Sequence, residues 1–285
     1  MVMFLRAYVS VDFEGLPGVP VTGLTPRSPQ YSRSEWIVTR IAKFLSEKLI
    51  ENGFSSVFIA DSHGFMSNID YRELPSKTVI IQGFPRPLSM VTGIEKGFDA
   101  LYFIGYHAAA GTLKGYLDHT YSGTAFYRIY INGCLASEYL LNTLVAGEHG
   151  VPVVMVAGDK ALEDEVSKHT PWAVFVPLKE GLSRYAAAFK SLTDVLNDLE
   201  DGVKKSIDVL KKGEAKPLTF SKPLELVVEL RDTLFADVAS LIPGVVRESA
   251  YKLVYKANTA SELMNIVETI ALVCYGVHAL REKIR

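Results

Sequence analysis

Leu5-Arg6-Ala7-Tyr8-Val9-Ser10-Val11 runs directly into Asp12-Phe13-Glu14-Gly15 near the start of this 285-residue chain. The first seven residues read as a buried strand. Arg6 interrupts the apolar run and two acids follow at once, with no small-residue cleavage site, so the segment is not read as a signal peptide. Outward from it the pattern alternates. Residues 15–33 hold Gly, Pro, Ser and Thr and read as a loop. Ser34 is placed to cap a helix reaching about Asn52, with Ile37, Ile41, Phe44, Leu45 and Leu49 on one face and Gly53 as its stop. Further strands are expected at 56–60, 78–81, 101–105, 126–131, 151–157 and 173–177, with helices at 137–148 and 161–168. Apolar strands alternating with helices predict an α/β fold: a mostly parallel sheet with helices on both faces. Residues 181–211 read as helical. Gly213, Lys216, Pro217 and Pro223 mark a linker across 211–223. Beyond it the pattern changes to half-buried strands at 224–230 and 249–255. A final helix turns Leu263, Ile266, Val267, Ile270 and Cys274 inward. The expected organisation is a larger α/β domain over 1–215 and a smaller C-terminal α+β domain over 216–285.

Composition narrows the function classes. Hydrophobic residues make up 48% and charged residues 22%, which excludes general disorder. Thirty Lys and Arg against 32 Asp and Glu leave a net charge of −2, so no polybasic nucleic-acid surface is indicated. Uninterrupted apolar runs such as 151–157 are shorter than a bilayer span, so no membrane partner is expected. Two cysteines, Cys134 and Cys274, form no disulfide scaffold and match no Cys-rich zinc pattern; a cytoplasmic location is the expectation. Walker A, GxGxxG and GxSxG patterns are all missing from the sequence, which removes support for nucleotide binding and serine hydrolysis.

In open α/β sheets ligands collect beyond the carboxyl ends of the strands. The first strand ends in Asp12-Phe13-Glu14, and residues i and i+2 of an extended segment point the same way. The second ends in Asp61-Ser62-His63-Gly64, and the fourth in Gly105-Tyr106-His107. His119 lies in the following loop, and Glu138 opens the helix after the 126–131 strand. Nitrogen and oxygen donors without thiolate suit zinc, manganese or ferrous iron. Three carboxylates among five ligands could hold two metals, one carboxylate bridging, an arrangement that polarises a carbonyl and activates water. Each piece alone has a plainer explanation. Asp12 and Glu14 fit a solvated turn, Asp61 an Asx turn, His107 a hydrogen-bonded core histidine, and Glu138 a helix-dipole partner. Their convergence on one sheet edge is what argues for a site. His149 and His169 fit helix C-termini, His278 an exposed helix position, and Asp159 a helix start.

These segments together resemble the zinc-dependent D-aminopeptidase family of dipeptide-transport operons, the DppA-type M55 peptidases. The resemblance rests on Ser10-Val11-Asp12-Phe13-Glu14-Gly15, Asp61-Ser62-His63-Gly64 with Met66 and Asn68, Gly105-Tyr106-His107-Ala108, Leu117-Asp118-His119, Ala136-Ser137-Glu138 and the later strand 153–159. Leu16-Pro17 stand where Ile-Ser is often seen. The resemblance implies two zinc ions per subunit, with Asp12 bridging and Glu14, His63, His107 and Glu138 completing the ligands. It implies His119 as the catalytic group, as acid, oxyanion stabiliser or nucleophile. It also implies short peptides with an N-terminal D-residue as substrates, and a homo-oligomer built as a ring-shaped decamer. Other readings of the same ligands are a dinuclear amidohydrolase or phosphoesterase, or a metal-binding protein without catalysis.

Overall fold

The computed structural model describes residues 5–284. In chain order the strands and helices are β1 (Leu5–Val11), α1 (Tyr31–Glu51), β2 (Phe54–Asp61), β3 (Thr78–Ile81), β4 (Ala100–Tyr106), β5 (Phe126–Ile131), β6 (Cys134–Leu135), α2 (Glu138–Glu148), β7 (Val153–Asp159), α3 (Glu163–His169), β8 (Val174–Ser183), β9 (Ala186–Ala188), α4 (Leu192–Lys211), β10 (Leu224–Leu230), α5 (Thr233–Ala239), β11 (Val246–Arg247), β12 (Lys252–Ala257) and α6 (Ala260–Ile284). Seven strands form one sheet in the order β3-β2-β1-β4-β7-β8-β9. All its pairings are parallel except the β8–β9 hairpin.

Both faces of this sheet are covered, which is why β1 is apolar on both sides. Ala7, Val9 and Val11 join a core with Ile37, Ile41 and Leu45 of α1 and Val195, Leu199 and Val203 of α4. Tyr8 faces the opposite way, into a second core that includes α2, α6 and the other sheet. That second sheet is antiparallel, in the order β11-β12-β10-β5-β6. Its strands come from both sides of residue 215, because β10 pairs with β5. The 126–131 strand therefore leaves the parallel sheet and turns back through Asn132-Gly133. Both turn residues have positive φ, 48° and 77°, as a type I′ hairpin requires.

Three local expectations change. Ser34 does not cap α1: the helix begins at Tyr31, and the Ser34 side chain is buried without a hydrogen-bond partner. The 181–191 segment is not helical; β8 continues to Ser183 and folds back as β9, and α4 starts only after Ser191, whose side chain caps it. The reason lies outside the segment. A Cβ at Gly181 would stand 1.9 Å from the carbonyl oxygen of Lys114, so the strand is pressed against a distant loop. On α6, Met264 is buried with Leu263, Val267, Ile270 and Cys274, and Ile266 is half-buried. By length and composition α6 could cross a membrane over residues 260–283. Its inner apolar face is occupied by the protein's own core.

Candidate metal centre

Three adjacent strands, β2, β1 and β4, end side by side. Beyond β1, Asp12 and Glu14 share a direction, as the i, i+2 spacing predicts. Phe13 between them turns into the α1 core and stacks its ring on His63 at 4.4 Å. The ends of β1 and β4 approach closely: the Gly15 amide donates to the Gly105 carbonyl at 2.7 Å. A Cβ on Gly15 would lie 2.1 Å from the Tyr106 carbonyl oxygen, and Gly105 has φ +76°. This backbone contact sets the spacing between the carboxylates after β1 and His107 after β4. The other side of the cluster comes from the second sheet, where β6 leads into α2 and places Glu138 in its first turn, capped by Ser137.

Five side chains converge, all buried. His63 Nδ1 lies 3.0 Å from Glu14 Oε2 and 3.4 Å from Asp12 Oδ1. His107 Nε2 lies 3.6 Å from Asp12 Oδ2 and 3.6 Å from Glu138 Oε1. Asp12 thus turns one oxygen to each histidine. His119 joins from the loop between β4 and β5, its Nε2 3.7 Å from Glu138 Oε1 and its ring stacked on His107 at 4.3 Å. The donors form two groups, Asp12 with Glu14 and His63, and His107 with His119 and Glu138, each within 4.8 Å. Donors about 2.0–2.1 Å from a tetrahedral zinc stand about 3.3–3.4 Å apart, close to these spacings.

The remaining polar atoms orient the donors. His63 Nε2 donates to the Leu24 carbonyl at 2.9 Å, and His107 Nδ1 to the Ala108 carbonyl at 3.1 Å. That leaves His63 Nδ1 and His107 Nε2 facing the carboxylates, as the atoms that would offer a lone pair to a metal. The Tyr121 amide donates to Glu138 Oε1 at 2.7 Å. Asp12 Oδ2 and His107 Nε2 are buried with no hydrogen-bond partner. Two orphaned buried polar atoms in a cluster of three carboxylates are what a bound cation would satisfy. Without one the charges conflict. Burial, with the Glu14 charge added, pushes the Asp12 carboxyl up to about 8. Burial opposes the imidazolium of His107, but the charges of Glu138 and its neighbours outweigh it and raise the group to about 10. His119 moves the other way, lowered by burial and by His107 beside it.

Residues expected to be minor prove otherwise. Asp61 makes no local Asx turn; its carboxylate accepts from the Ile69 amide at 2.8 Å and from the Asn68 side chain at 2.6 Å, holding the loop beyond His63. Asp159 caps the short helical turn at 160–162, and it also accepts from the Tyr116 amide at 2.7 Å and the Gly181 amide at 3.3 Å. Its place at the carboxyl end of a strand of the same sheet was the signal for that second role. Burial, with Lys168 adding to it, lowers the pKa of His169 at the end of α3. Cys134 starts β6 and is half-buried.

Fold and donor set together define a metal-dependent hydrolase of the α/β class. The D-aminopeptidase family, peptidase family M55, matches residues 5–269, and the chain belongs to it. A D-aminopeptidase of Bacillus subtilis (strain 168) is 32% identical over 241 residues, covering 84% of this chain and 86% of that protein. A solved structure described as the Zn-dependent D-aminopeptidase DppA from Bacillus subtilis, a self-compartmentalizing protease, superposes with a TM-score of 0.90 at 28% identity. It covers 95% of this chain and 98% of that one.

Proposed function

We propose that the chain is a dinuclear zinc aminopeptidase that releases an N-terminal D-residue of the D-alanine type from short peptides. The observation that carries the dinuclear reading is Asp12, with one oxygen toward His63 and the other toward His107. Asp12, Glu14 and His63 would hold one ion, and Asp12, His107 and Glu138 the other. When bound, the zinc pair supplies Lewis acidity toward the scissile carbonyl and lowers the pKa of water. His119 does the proton work. Its Nδ1–H is donated to the Leu117 carbonyl at 2.7 Å, so Nε2 carries the lone pair. With a lowered pKa the ring is neutral near pH 7. Nε2 takes a proton from the attacking water and returns it to the departing amine. The preference for D-residues is supported by the family and by the name of its Bacillus relative.

The self-compartmentalizing character of the solved relative supports a homo-oligomer, and we extend it to a ring-shaped decamer with sites facing an inner chamber. A cytoplasmic location belongs to the same reading, supported by the free cysteines Cys134 and Cys274. The deciding assay gives zinc-loaded protein D-Ala-D-Ala and L-Ala-L-Ala side by side and quantifies free alanine. Cleavage of the D-peptide alone, abolished by a chelator, is expected. Equal cleavage of both, or of neither, contradicts the proposal.

A further inference from the structure

His119 sits in a stretch without regular secondary structure between β4 and β5, so its ring must be held from outside. The β8–β9 hairpin does this through its tip. The Leu117 amide donates to the Arg184 carbonyl at 2.9 Å, and the carbonyl of the same Leu117 accepts from His119 Nδ1 at 2.7 Å. Two hydrogen bonds therefore connect the tip to the imidazole. The Arg184 side chain grips the intervening residue. Its Nη1 donates to the Asp118 carbonyl at 2.8 Å and also to the Asp118 carboxylate. The other oxygen of that carboxylate accepts from the Gly111 amide at 2.6 Å. Gly123 lies beside both partners: a Cβ there would stand 3.5 Å from His119 Cβ and 3.9 Å from Arg184 Nη2, at ordinary contact. Arg184 is thus bonded to residues 117 and 118, the two that precede the histidine. Both side-chain contacts come from one nitrogen, so a lysine ammonium can restore part of the grip, without the rigid planar frame of the guanidinium.

We propose that Arg184 is the positioning residue for His119, fixing its ring through Leu117 and Asp118. The proposal rests on the reading of His119 as the catalytic group. Removing the side chain leaves the backbone bond to Leu117 in place but releases Asp118, next to the histidine; the resulting shift of Nε2 costs rate more than binding.

The test uses zinc-loaded, full-length Arg184→Ala and Arg184→Lys with two substrates, D-Ala-D-Ala and D-alanine p-nitroanilide, the second lacking a free carboxylate. Zinc content, Tm and a crystal structure of Arg184→Ala are measured alongside. The Ala variant is expected to lose kcat on both substrates by one common factor, roughly 10–100-fold, with KM within about three-fold. Zinc content is expected to hold, the His119 ring to move, and Arg184→Lys to recover part of the rate. Unchanged kcat with the ring in place overturns the proposal. So does a loss confined to D-Ala-D-Ala and carried by KM, which would make Arg184 a ligand of the substrate carboxylate. Loss of zinc in step with activity overturns it too, by placing the effect on the metal ligands. Wild-type protein inert on both substrates would instead break the reading of the reaction, and the ring position in the Arg184→Ala crystal structure would still decide whether Arg184 positions it.

Discussion

His63 and His107 turn different nitrogens to the same carboxylate, and each choice is made by a backbone carbonyl on the far side of the ring. The residue types and the i, i+2 spacing of Asp12 and Glu14 were legible in the sequence. The carbonyls of Leu24 and Ala108 were not, because any residue supplies one. The charge state of the cluster yields a prediction. In the metal-free protein, Asp12 is held up to about 8 by burial and Glu14. His107 is raised to about 10, and His63 well above its usual value, because nearby carboxylates outweigh burial for both. At pH 7 all three therefore keep protons that a metal must displace. Zinc binding at pH 7 is expected to release about two to three protons, the number falling as pH rises through about 8, where Asp12 gives up its proton, and again through about 10, where His107 does. Affinity must rise with pH over the same window, since deprotonation favours the bound form. Calorimetry in buffers of different ionisation enthalpy reads the proton count directly. Binding without proton release, at an affinity flat in pH, would contradict this charge assignment.

At the level of elements, strands and glycines place the donors. The alternation of apolar runs sufficed to locate β1, β3, β5 and β10 at their observed bounds. It failed at β8–β9, where Arg184-Tyr185-Ala186-Ala187-Ala188 suits a helix locally. There the Asp159 carboxylate and the Lys114 backbone decide, and both are remote in sequence. The close approach of β1 and β4 was equally invisible, because a glycine after a strand has many uses. Its consequence is testable. Gly15→Ala puts a methyl against the Tyr106 carbonyl, with no flexible side chain there to yield. The variant is expected to lose about 3 kcal/mol of stability and to bind zinc more weakly, because the donors on both strands shift together. Gly53→Ala is the control: no atom lies within 4 Å of its Cβ, and only its φ of +104° is strained. It should cost about 1 kcal/mol and leave zinc binding intact. Denaturant midpoints with metal analysis compare the two, and equal loss of zinc from both would refute the spacing argument.

On the scale of the whole molecule, the site lies where the parallel sheet meets the antiparallel one. The sequence pattern showed two kinds of secondary structure, but not that β5 crosses over to pair with β10, with β6 beside it, since strand pairing leaves no local mark. The same limit applies to assembly. The inner face of α6 follows the helical period into the core, while Leu272, Tyr275 and Leu280 remain exposed on its outside. A run of large apolar side chains along an outer helix face has the character of a subunit contact. In the proposed decamer, light scattering is expected to give a mass ten times that of the 31.4 kDa chain. Leu272→Glu with Tyr275→Glu should lower that mass and leave each subunit's zinc content unchanged, because α6 supplies none of the donors. Enclosure of the sites predicts a second effect. The intact assembly should reject long or folded polypeptides that carry an N-terminal D-residue, and the dissociated variant should admit them. A wild-type monomer in light scattering would remove the ring. An unchanged mass in the double variant would leave the ring standing and move its contacts away from α6.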